Sequence, residues 1–404
     1  MAQKKLDQIL ESFVASPDEK AGNGKLLGAA FVVVNKDGVL YHGASGRIHS
    51  AVDSTGFSEG SCCWVASLTK IVTAAAAMLV VEDGLIGLDD DVKHLVPQLA
   101  EVKILRGFVG DDIPYLVDNT FPITLRQLLT HTAGFGYRSA DPDLGRWAKH
   151  VGRNEEDLQD TVERWNNPLK FAPGQGWYYG VGLDWAGQVI EKLTNKTLGE
   201  FMTETFFKPL GMNDSTFRPG SLPHIQDRLV ATTHRDAETG VLTSSDDHPS
   251  KTKVSVDGGG AGLYTTAADF AKFLQTLLKA SAGEEAILKQ DTVDEMFKPQ
   301  LTSVQRHELK FLTELFHDGM VPDFETGMPL DHGIGGVINL EDSLAKRKKG
   351  SLMWAGMTNG HWFVDRQSGI GATFITNVLP HPDAVATRAW NELERAVYSD
   401  LISD

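Results

Sequence analysis

Runs of apolar residues near both ends of the chain predict the strands of one sheet. Residues 28–34 form an unbroken apolar run, and the turn residues 35–38 lead into a second segment at 39–43, which is the pattern of a β-hairpin. Short apolar runs near the C-terminal end predict three more strands, at 351–354, 361–364 and 370–376. The pattern therefore predicts an antiparallel sheet that is built from both ends of the chain.

Apolar residues elsewhere recur with the period of a helix. This periodicity predicts an amphipathic N-terminal helix through Phe13 and a closing helix at about 382–402, with internal helices at 125–129, 144–151, 183–193 and 267–278. The polar segment 234–257, rich in Ser, Thr and Asp, predicts a long surface loop.

The order of these elements predicts the fold class and two lobes. The class is α/β: a central antiparallel sheet built from both chain ends and flanked by helices, with an inserted, mostly helical lobe. We expect residues 1–95 and 330–404 to form the α/β lobe. The inserted lobe is predicted at 96–329, and part of it, about 255–280, is predicted to return to the cleft.

Charge and cysteine content narrow the function. The chain has 38 Lys and Arg against 54 Asp and Glu, a formal net charge of −16, which disfavours binding to nucleic acid or an anionic membrane. No apolar run reaches the ~18 residues of a membrane span, and the N-terminal residues are typical of a helix rather than a signal peptide. Two adjacent cysteines, Cys62 and Cys63, indicate a reducing compartment, so we expect a cytoplasmic protein. The basic run 346–349 predicts a solvated turn.

The candidate chemistry lies in Ser67-Leu68-Thr69-Lys70, at the start of an apolar helix that continues to Val81. The S-x-x-K spacing places the hydroxyl and the amine one turn apart on the same helix face. The eleven residues after Lys70 carry one hydroxyl and no charge, so the helix is predicted to be buried and its lysine to be a usable base. The positive end of the helix dipole at Ser67 would stabilise a developing oxyanion.

Other segments compete with this site or complete it. Ser58 lies in a G-x-S-x-G sequence at 56–60, but no helix follows directly, as a nucleophile elbow requires. The glycines at 258–260 predict a tight turn near a cleft, and His131 is expected to satisfy local backbone. In the Gly-rich loop 173–180, Tyr178 and Tyr179 are either packing aromatics or contribute one phenol as a base.

Taken together, these segments resemble the serine β-lactamase-like superfamily of penicillin-binding proteins, class C β-lactamases and related esterases. Within it they are most similar to the fungal lovastatin-type acyltransferases of the simvastatin synthase type and to family VIII esterases. The matching segments are Ser67-x-x-Lys70, 123–134 (I-T-x-x-x-L-L-T-H-T-x-G), Trp177-x-Tyr179, 258–269 and 347–356.

The resemblance implies a serine nucleophile, Ser67, and a base system formed by Lys70 and Tyr179, with Tyr178 as the open alternative. It also implies an oxyanion hole made of the backbone N–H groups of Ser67 and Met357. The pocket residues that we expect are Tyr137, Trp354, Gly356, His361 and Trp362.

Departures from the β-lactamase pattern indicate the substrate. Trp354 begins the Trp-Ala-Gly segment where β-lactamases carry Lys-Thr-Gly, and Val181 stands in place of the asparagine of Tyr-x-Asn. The cation that would hold a β-lactam carboxylate is therefore missing, which favours esters or thioesters of small apolar or polyketide-like acyl groups.

The resemblance implies neither a metal nor a cofactor. The expected partners are a small-molecule acyl donor and an alcohol or water acceptor, with an acyl-carrier protein as a candidate donor. An amidase, a D-peptidase or a β-lactamase of the same fold and a non-catalytic binding protein remain the alternatives.

Overall fold

Seven strands form one antiparallel sheet in the computed structural model, which describes residues 2–16, 24–51, 53–110, 112–153, 158, 160–245 and 254–402. The strands of the described chain are β1 Gly28–Asn35, β2 Val39–Gly46, β3 Cys63–Trp64, β4 Lys103–Val109, β5 Ile113–Asp118, β6 Thr232–Arg235, β7 Leu242–Ser245, β8 Tyr264–Thr265, β9 Leu330–Gly333, β10 Gly336–Asn339, β11 Leu352–Ala355, β12 His361–Asp365, β13 Ile370–Ile375 and β14 Val378–Leu379.

The large sheet has the strand order β2-β1-β13-β12-β11-β10-β9, so its N-terminal hairpin pairs with the C-terminal strands through β1 and β13. The prediction of an antiparallel sheet built from both chain ends is confirmed. β1 is buried over nearly its whole length, which explains its unbroken apolar sequence, since both faces of this strand are covered.

Helices flank the sheet and also occupy much of the sequence between its N-terminal and C-terminal strands. They are α1 Ala2–Phe13, α2 Thr69–Glu82, α3 Pro97–Glu101, α4 Leu125–Leu129, α5 Pro142–His150, α6 Gly182–Thr194, α7 Leu198–Met202, α8 Lys208–Leu210, α9 Ala267–Ser281, α10 Gln290–Met296, α11 Ser303–Leu315, α12 His317–Met320 and α13 Ala384–Ala396. Helix α9 packs on β1 and β13, and α1 packs on α13.

Helix α2 is the apolar helix that follows the candidate serine. A 3₁₀ turn, Ala66–Leu68, precedes it, so Ser67 lies in this turn and α-helical geometry begins two residues later. Eleven of its fourteen residues are buried, including Lys70, which is 2% exposed. The prediction of a buried lysine is confirmed.

Two hairpins correct the sequence prediction. β4 and β5 pair inside the stretch that was predicted to be mostly helical. β6 and β7 pair within the predicted surface loop 234–257, and β14 adds to β6 in parallel. The strands β6 and β7 are short and polar and carry little apolar alternation, because pairing with a neighbour rather than burial defines them. Residues 246–253 of that loop lie outside the described residues.

The basic run 346–349 is not a solvated turn throughout. Arg347 is completely buried and binds Glu394 at 2.7 Å and Asp323 at 3.1 Å, while the buried Lys346 also lies 3.4 Å from Glu394. Glu394 comes from α13, which packs against this turn. Lys348 and Lys349 have the solvent exposure that was predicted for the whole run. Across the described part of the chain, no helix is long and apolar enough to span a bilayer.

Candidate active site

The structure brings Ser67, Lys70 and Tyr179 together. Lys70 Nζ donates a hydrogen bond of 2.9 Å to Ser67 Oγ, as the one-turn spacing on the same helical face predicts. The hydroxyl of Tyr179 donates a second hydrogen bond, of 2.7 Å, to the same Oγ. A hydroxyl at the start of a helix is thus in contact with both an amine and a phenol, which is the arrangement of an activated nucleophile.

The neighbouring Tyr178 points away from this group. Its hydroxyl donates to Asp141 at 2.8 Å, and Asp141 is also bound by Lys170. Burial, followed by the hydrogen bond and the charge of Asp141, raises the pKa of Tyr178 above its usual value, so it stays a neutral phenol. Only Tyr179 of the two contacts Ser67.

The ammonium group of Lys70 uses all three of its donors. Besides Ser67, it donates to the hydroxyl of Tyr137 at 3.1 Å and to the carbonyl oxygen of Gly260 at 2.7 Å. Burial, with a further contribution from Tyr179, raises the pKa of Tyr137 well above its usual value. The predicted site residue Tyr137 is therefore placed at the lysine, as a neutral phenol.

Aromatic and imidazole rings surround Tyr179. Trp354 Nε1 donates to the Tyr179 hydroxyl at 3.1 Å, so the predicted residue Trp354 lies in the site. The ring of His131 lies 4.8 Å from that of Tyr179, edge to face, and 5.4 Å from the ring of His332. Burial lowers the pKa of both histidines, that of His332 to about 4, which leaves two uncharged rings beside the tyrosine.

The sequence predicted a role for His131 but none for His332. His131 accepts a hydrogen bond from the backbone N–H of Gly180 at 3.4 Å, as its predicted local role requires. His332 carries no motif, and it reaches the site from β9, where its ring lies 5.4 Å from that of His131 and 6.4 Å from that of Trp354. No signal in the sequence could have identified it.

The end of β11 approaches the serine backbone. A Cβ added to Gly356 would lie 3.6 Å from the backbone nitrogen of Ser67 and 2.7 Å from the carbonyl oxygen of Val65, so this close approach requires glycine. Met357 follows in the turn between β11 and β12, and its side chain is exposed. The two predicted oxyanion donors are thus on adjoining segments.

Asn359 holds that turn in place. It is fully buried and has a φ of 60°, which is uncommon for a residue other than glycine. Its Nδ2 donates to the carbonyl oxygens of Val378 at 2.8 Å and Pro380 at 3.2 Å, and its Oδ1 accepts from the N–H of Asp383 at 2.8 Å. The turn that carries Met357 is therefore anchored to the segment before α13.

The prediction of His361 as a pocket wall is wrong, whereas that of Trp362 stays a prediction. Both side chains are completely buried. His361 stacks on Trp390 at 5.3 Å and lies 3.2 Å from Asp323, on the side of the sheet covered by α13. Trp362 pairs in register with Trp354, and residues directly opposite each other in an antiparallel pair point to the same face, so Trp362 lies on the sheet face of Trp354. Because successive residues of a strand point to opposite faces, one of these neighbours had to face away from the site.

The competing serine lacks the surroundings of a nucleophile. Ser58 is followed by a turn, and its Oγ lies 3.4 Å from that of Ser61.

Lys349, the lysine that lies upstream of the Trp-Ala-Gly segment, is far from the serine. It precedes the start of β11, whereas Ser67 lies at the other end of this strand. The backbone N–H of Lys349 binds Asp342 at 2.8 Å, and Lys349 lines a cavity together with Lys36 and Arg366. Within the described ranges, no group of three or more His, Cys, Asp or Glu side chains is arranged to hold a metal ion.

The fold and the site together define a class of protein, the serine acyl-transfer enzymes of the β-lactamase type. Residues 6–396 match the family model described as Beta-lactamase, and the chain belongs to this family. The predicted fold class and superfamily are confirmed.

Relatives of known name narrow this class. The chain is 35% identical over 369 residues to a lovastatin esterase of Penicillium rubens, which covers 88% of this chain and 90% of that protein. It is 31% identical over 345 residues to a monacolin J acid methylbutanoyltransferase of Aspergillus terreus, covering 83% and 82% of the two chains. The solved structure of unliganded simvastatin synthase from Aspergillus terreus matches with a TM-score of 0.88 at 27% identity, covering 98% of both chains. The prediction of an esterase or acyltransferase is confirmed by these relatives, whereas the roles of single residues stay predictions.

Proposed function

We propose that the chain transfers acyl groups from uncharged, apolar esters or thioesters to an alcohol or water, through an acyl-enzyme on Ser67. The observation that carries this proposal is the convergence of Lys70 Nζ and the Tyr179 hydroxyl on Ser67 Oγ, at 2.9 and 2.7 Å. Each distance is within reach of direct proton transfer.

Acylation proceeds by attack of Ser67 Oγ on the carbonyl carbon of the donor. In the form that lacks one proton (a neutral amine or a phenolate), the Lys70–Tyr179 pair takes the proton from the hydroxyl and then gives it to the leaving alcohol or thiol as its bond to the carbonyl carbon breaks. The oxyanion rests on the backbone N–H groups of Ser67 and Met357, and the anchored turn around Asn359 keeps the second donor in place. The acceptor then attacks the acyl-enzyme by the reverse sequence, with the same pair as base.

The surroundings of Tyr179 support apolar acyl groups. Trp354 lies where a cation would be needed for a carboxylate, and the neighbouring His131 and His332 are neutral because burial lowers their pKa. Transfer of a free carboxylate into this environment without a cationic partner is costly.

The acyl donor and the compartment are part of the proposal. The donor is a small molecule, and an acyl-carrier protein could present the same thioester. The relatives named above act on lovastatin and on monacolin J acid, so a polyketide-like alcohol is a candidate acceptor. The free, buried Cys62 and Cys63 support a cytoplasmic location.

Intact-mass spectrometry tests the proposal. The wild-type chain, Ser67→Ala and Ser58→Ala are each incubated with p-nitrophenyl esters and acyl thioesters. We expect an acyl mass increment and turnover in the wild type and in Ser58→Ala, and neither in Ser67→Ala. If Ser67→Ala retains turnover and Ser58→Ala loses it, the nucleophile is Ser58. A wild-type chain that neither labels with a serine-directed fluorophosphonate nor acylates is a binding protein.

A further inference from the structure

The lysine of the candidate site is held by a backbone segment that an acidic side chain fixes in turn. Lys70 Nζ donates to the carbonyl oxygen of Gly260 at 2.7 Å, and the N–H of the same Gly260 donates to Oδ1 of Asp184 at 2.9 Å. One turn further along α2, Thr73 donates to the carbonyl oxygen of Gly259 at 2.7 Å. Helix α2 therefore donates hydrogen bonds to two consecutive carbonyl groups. Asp184, at the start of α6, accepts a hydrogen bond from the same segment.

The packing leaves no freedom at this contact. A Cβ at Gly260 would lie 2.4 Å from Oδ2 of Asp184, and one at Gly259 would lie 2.5 Å from the carbonyl oxygen of Leu183. The two glycines thus let the backbone approach the first turn of α6 closely enough for the hydrogen bond from Gly260 to Asp184.

Asp184 is buried among charged and polar groups of the site. Lys70 faces it from α2, Arg164 from the 3₁₀ helix Val162–Trp165, and Tyr137 from the loop after α4. Burial raises the pKa of Asp184, and the charges of Lys70 and Arg164 oppose that rise. Asp184 and Arg164 line a small cavity of about 50 Å³ together with Trp64 and Phe217.

We propose that Asp184 is a positioning residue for acyl transfer, which acts on Lys70 through Gly260 and through its own negative charge. This inference rests on the proposed function, because it gives Lys70 a part in the base system. The hydrogen bond fixes the direction in which the Gly260 carbonyl holds the ammonium group. The charge stabilises the protonated form of the base system relative to the neutral form.

One substitution separates the charge of Asp184 from its hydrogen bond with Gly260. Asp184→Asn keeps the size of the side chain and an oxygen that accepts from Gly260, but it removes the charge. The protonated base system is then less stable, so the acid limb of the kcat/KM profile should move to lower pH, by about 0.5 to 1 unit. We expect kcat to fall about 10-fold, because a less basic base system takes the serine proton less readily, and KM to change less than about twofold.

Asp257 provides the matched control. It is fully buried, accepts a hydrogen bond from the N–H of Gly199 at 2.8 Å and pairs with Arg218 at 3.0 Å, but it does not contact Gly260 or Lys70. Asp257→Asn should lower thermal stability without moving the acid limb. If Asp184→Asn does not give folded protein, Asp184→Ser, which also removes the charge, is measured in the same way.

The outcomes separate this inference from the proposed function. Ester turnover by the wild type together with a shifted acid limb in Asp184→Asn (or Asp184→Ser), and not in Asp257→Asn, supports the positioning role. Turnover with the wild-type pH profile and kcat in the Asp184 variants overturns it and leaves the proposed function intact. Absence of any acylation in the wild type overturns both.

Discussion

The hydroxyl of Tyr179 lies 2.7 Å from Oγ of Ser67 and donates a hydrogen bond to it. Tyr178, the preceding residue, donates instead to Asp141 at 2.8 Å, on the far side of the same loop. Two adjacent phenols therefore have different surroundings, and the difference selects one of them as the partner of the serine.

The first prediction separates these two tyrosines. Tyr179→Phe should lower kcat by a factor of about 10² or more, because the phenol that contacts both Ser67 and Trp354 is lost. Tyr178→Phe, the matched control, should change kcat less than about threefold. The measurement is steady-state turnover of a p-nitrophenyl ester, with thermal unfolding to check that both variants fold. An inactive Tyr178→Phe beside an active Tyr179→Phe would reverse the assignment.

Local spacing accounts for what could be predicted of the site. Ser67 lies in the 3₁₀ turn and Lys70 in the first turn of α2, three residues further on, so their contact follows from local helical spacing. Tyr179 and Gly356 come from distant segments, and it was the resemblance to a family, rather than any periodicity, that predicted both of them in the same site. The strands β1, β11 and β13 were predictable because they are buried on both faces and therefore read as apolar runs.

Long-range contacts account for what could not be predicted. Asp184 and His332 join the site through the packing of α6 and β9, which no local pattern encodes. The burial of Arg347 depends on Glu394 of α13, forty-seven positions further along the chain. His361 was assigned to the pocket together with Trp362, but consecutive strand residues point in opposite directions, and His361 faces Trp390 of α13.

The second prediction concerns substrate charge. The kcat/KM for an uncharged short-chain p-nitrophenyl ester should exceed that for nitrocefin, which carries a carboxylate, by at least about 10²-fold, since Trp354 stands where a cation would be needed. An acyl thioester should behave like the ester. Lys349→Ala serves as the control and should leave both values unchanged, because Lys349 lies beyond the other end of β11. Equal turnover of nitrocefin and the best ester would contradict this prediction.

The third prediction concerns stability. Arg347→Met should lower the free energy of unfolding by about 3 to 5 kcal/mol, because Glu394 and Asp323 lose the cation that both of them bind in the core. Lys348→Met, one residue further along, removes an exposed ion pair with Asp342 and should cost less than about 1 kcal/mol. Urea unfolding of both variants checks the difference. Equal losses in the two variants would mean that the buried cluster contributes no more than a surface pair.

The last prediction concerns acid stability and follows from His332. Burial lowers the pKa of its imidazole to about 4 in the folded chain, against 6.5 as the ordinary value. Between these two pH values the unfolded state binds a proton that the folded state does not, so stability should fall as the pH drops from about 6.5 to 4. For one group the loss over that window is about 3 kcal/mol. Above pH 6.5 the imidazole is neutral in both states, so it adds no pH dependence to the free energy of unfolding.

His332→Asn tests this directly. The variant should be less stable than the wild type at pH 7, because a buried ring is removed, but its stability should decline less steeply between pH 6.5 and 4. Burial also lowers the pKa of His131, so this residue still causes part of the loss of stability at low pH in the variant. His150→Gln, at an exposed helix end, is the control and should retain the wild-type slope. Urea unfolding at intervals of half a pH unit gives the slopes. An unchanged slope in His332→Asn would mean that this ring titrates alike in both states.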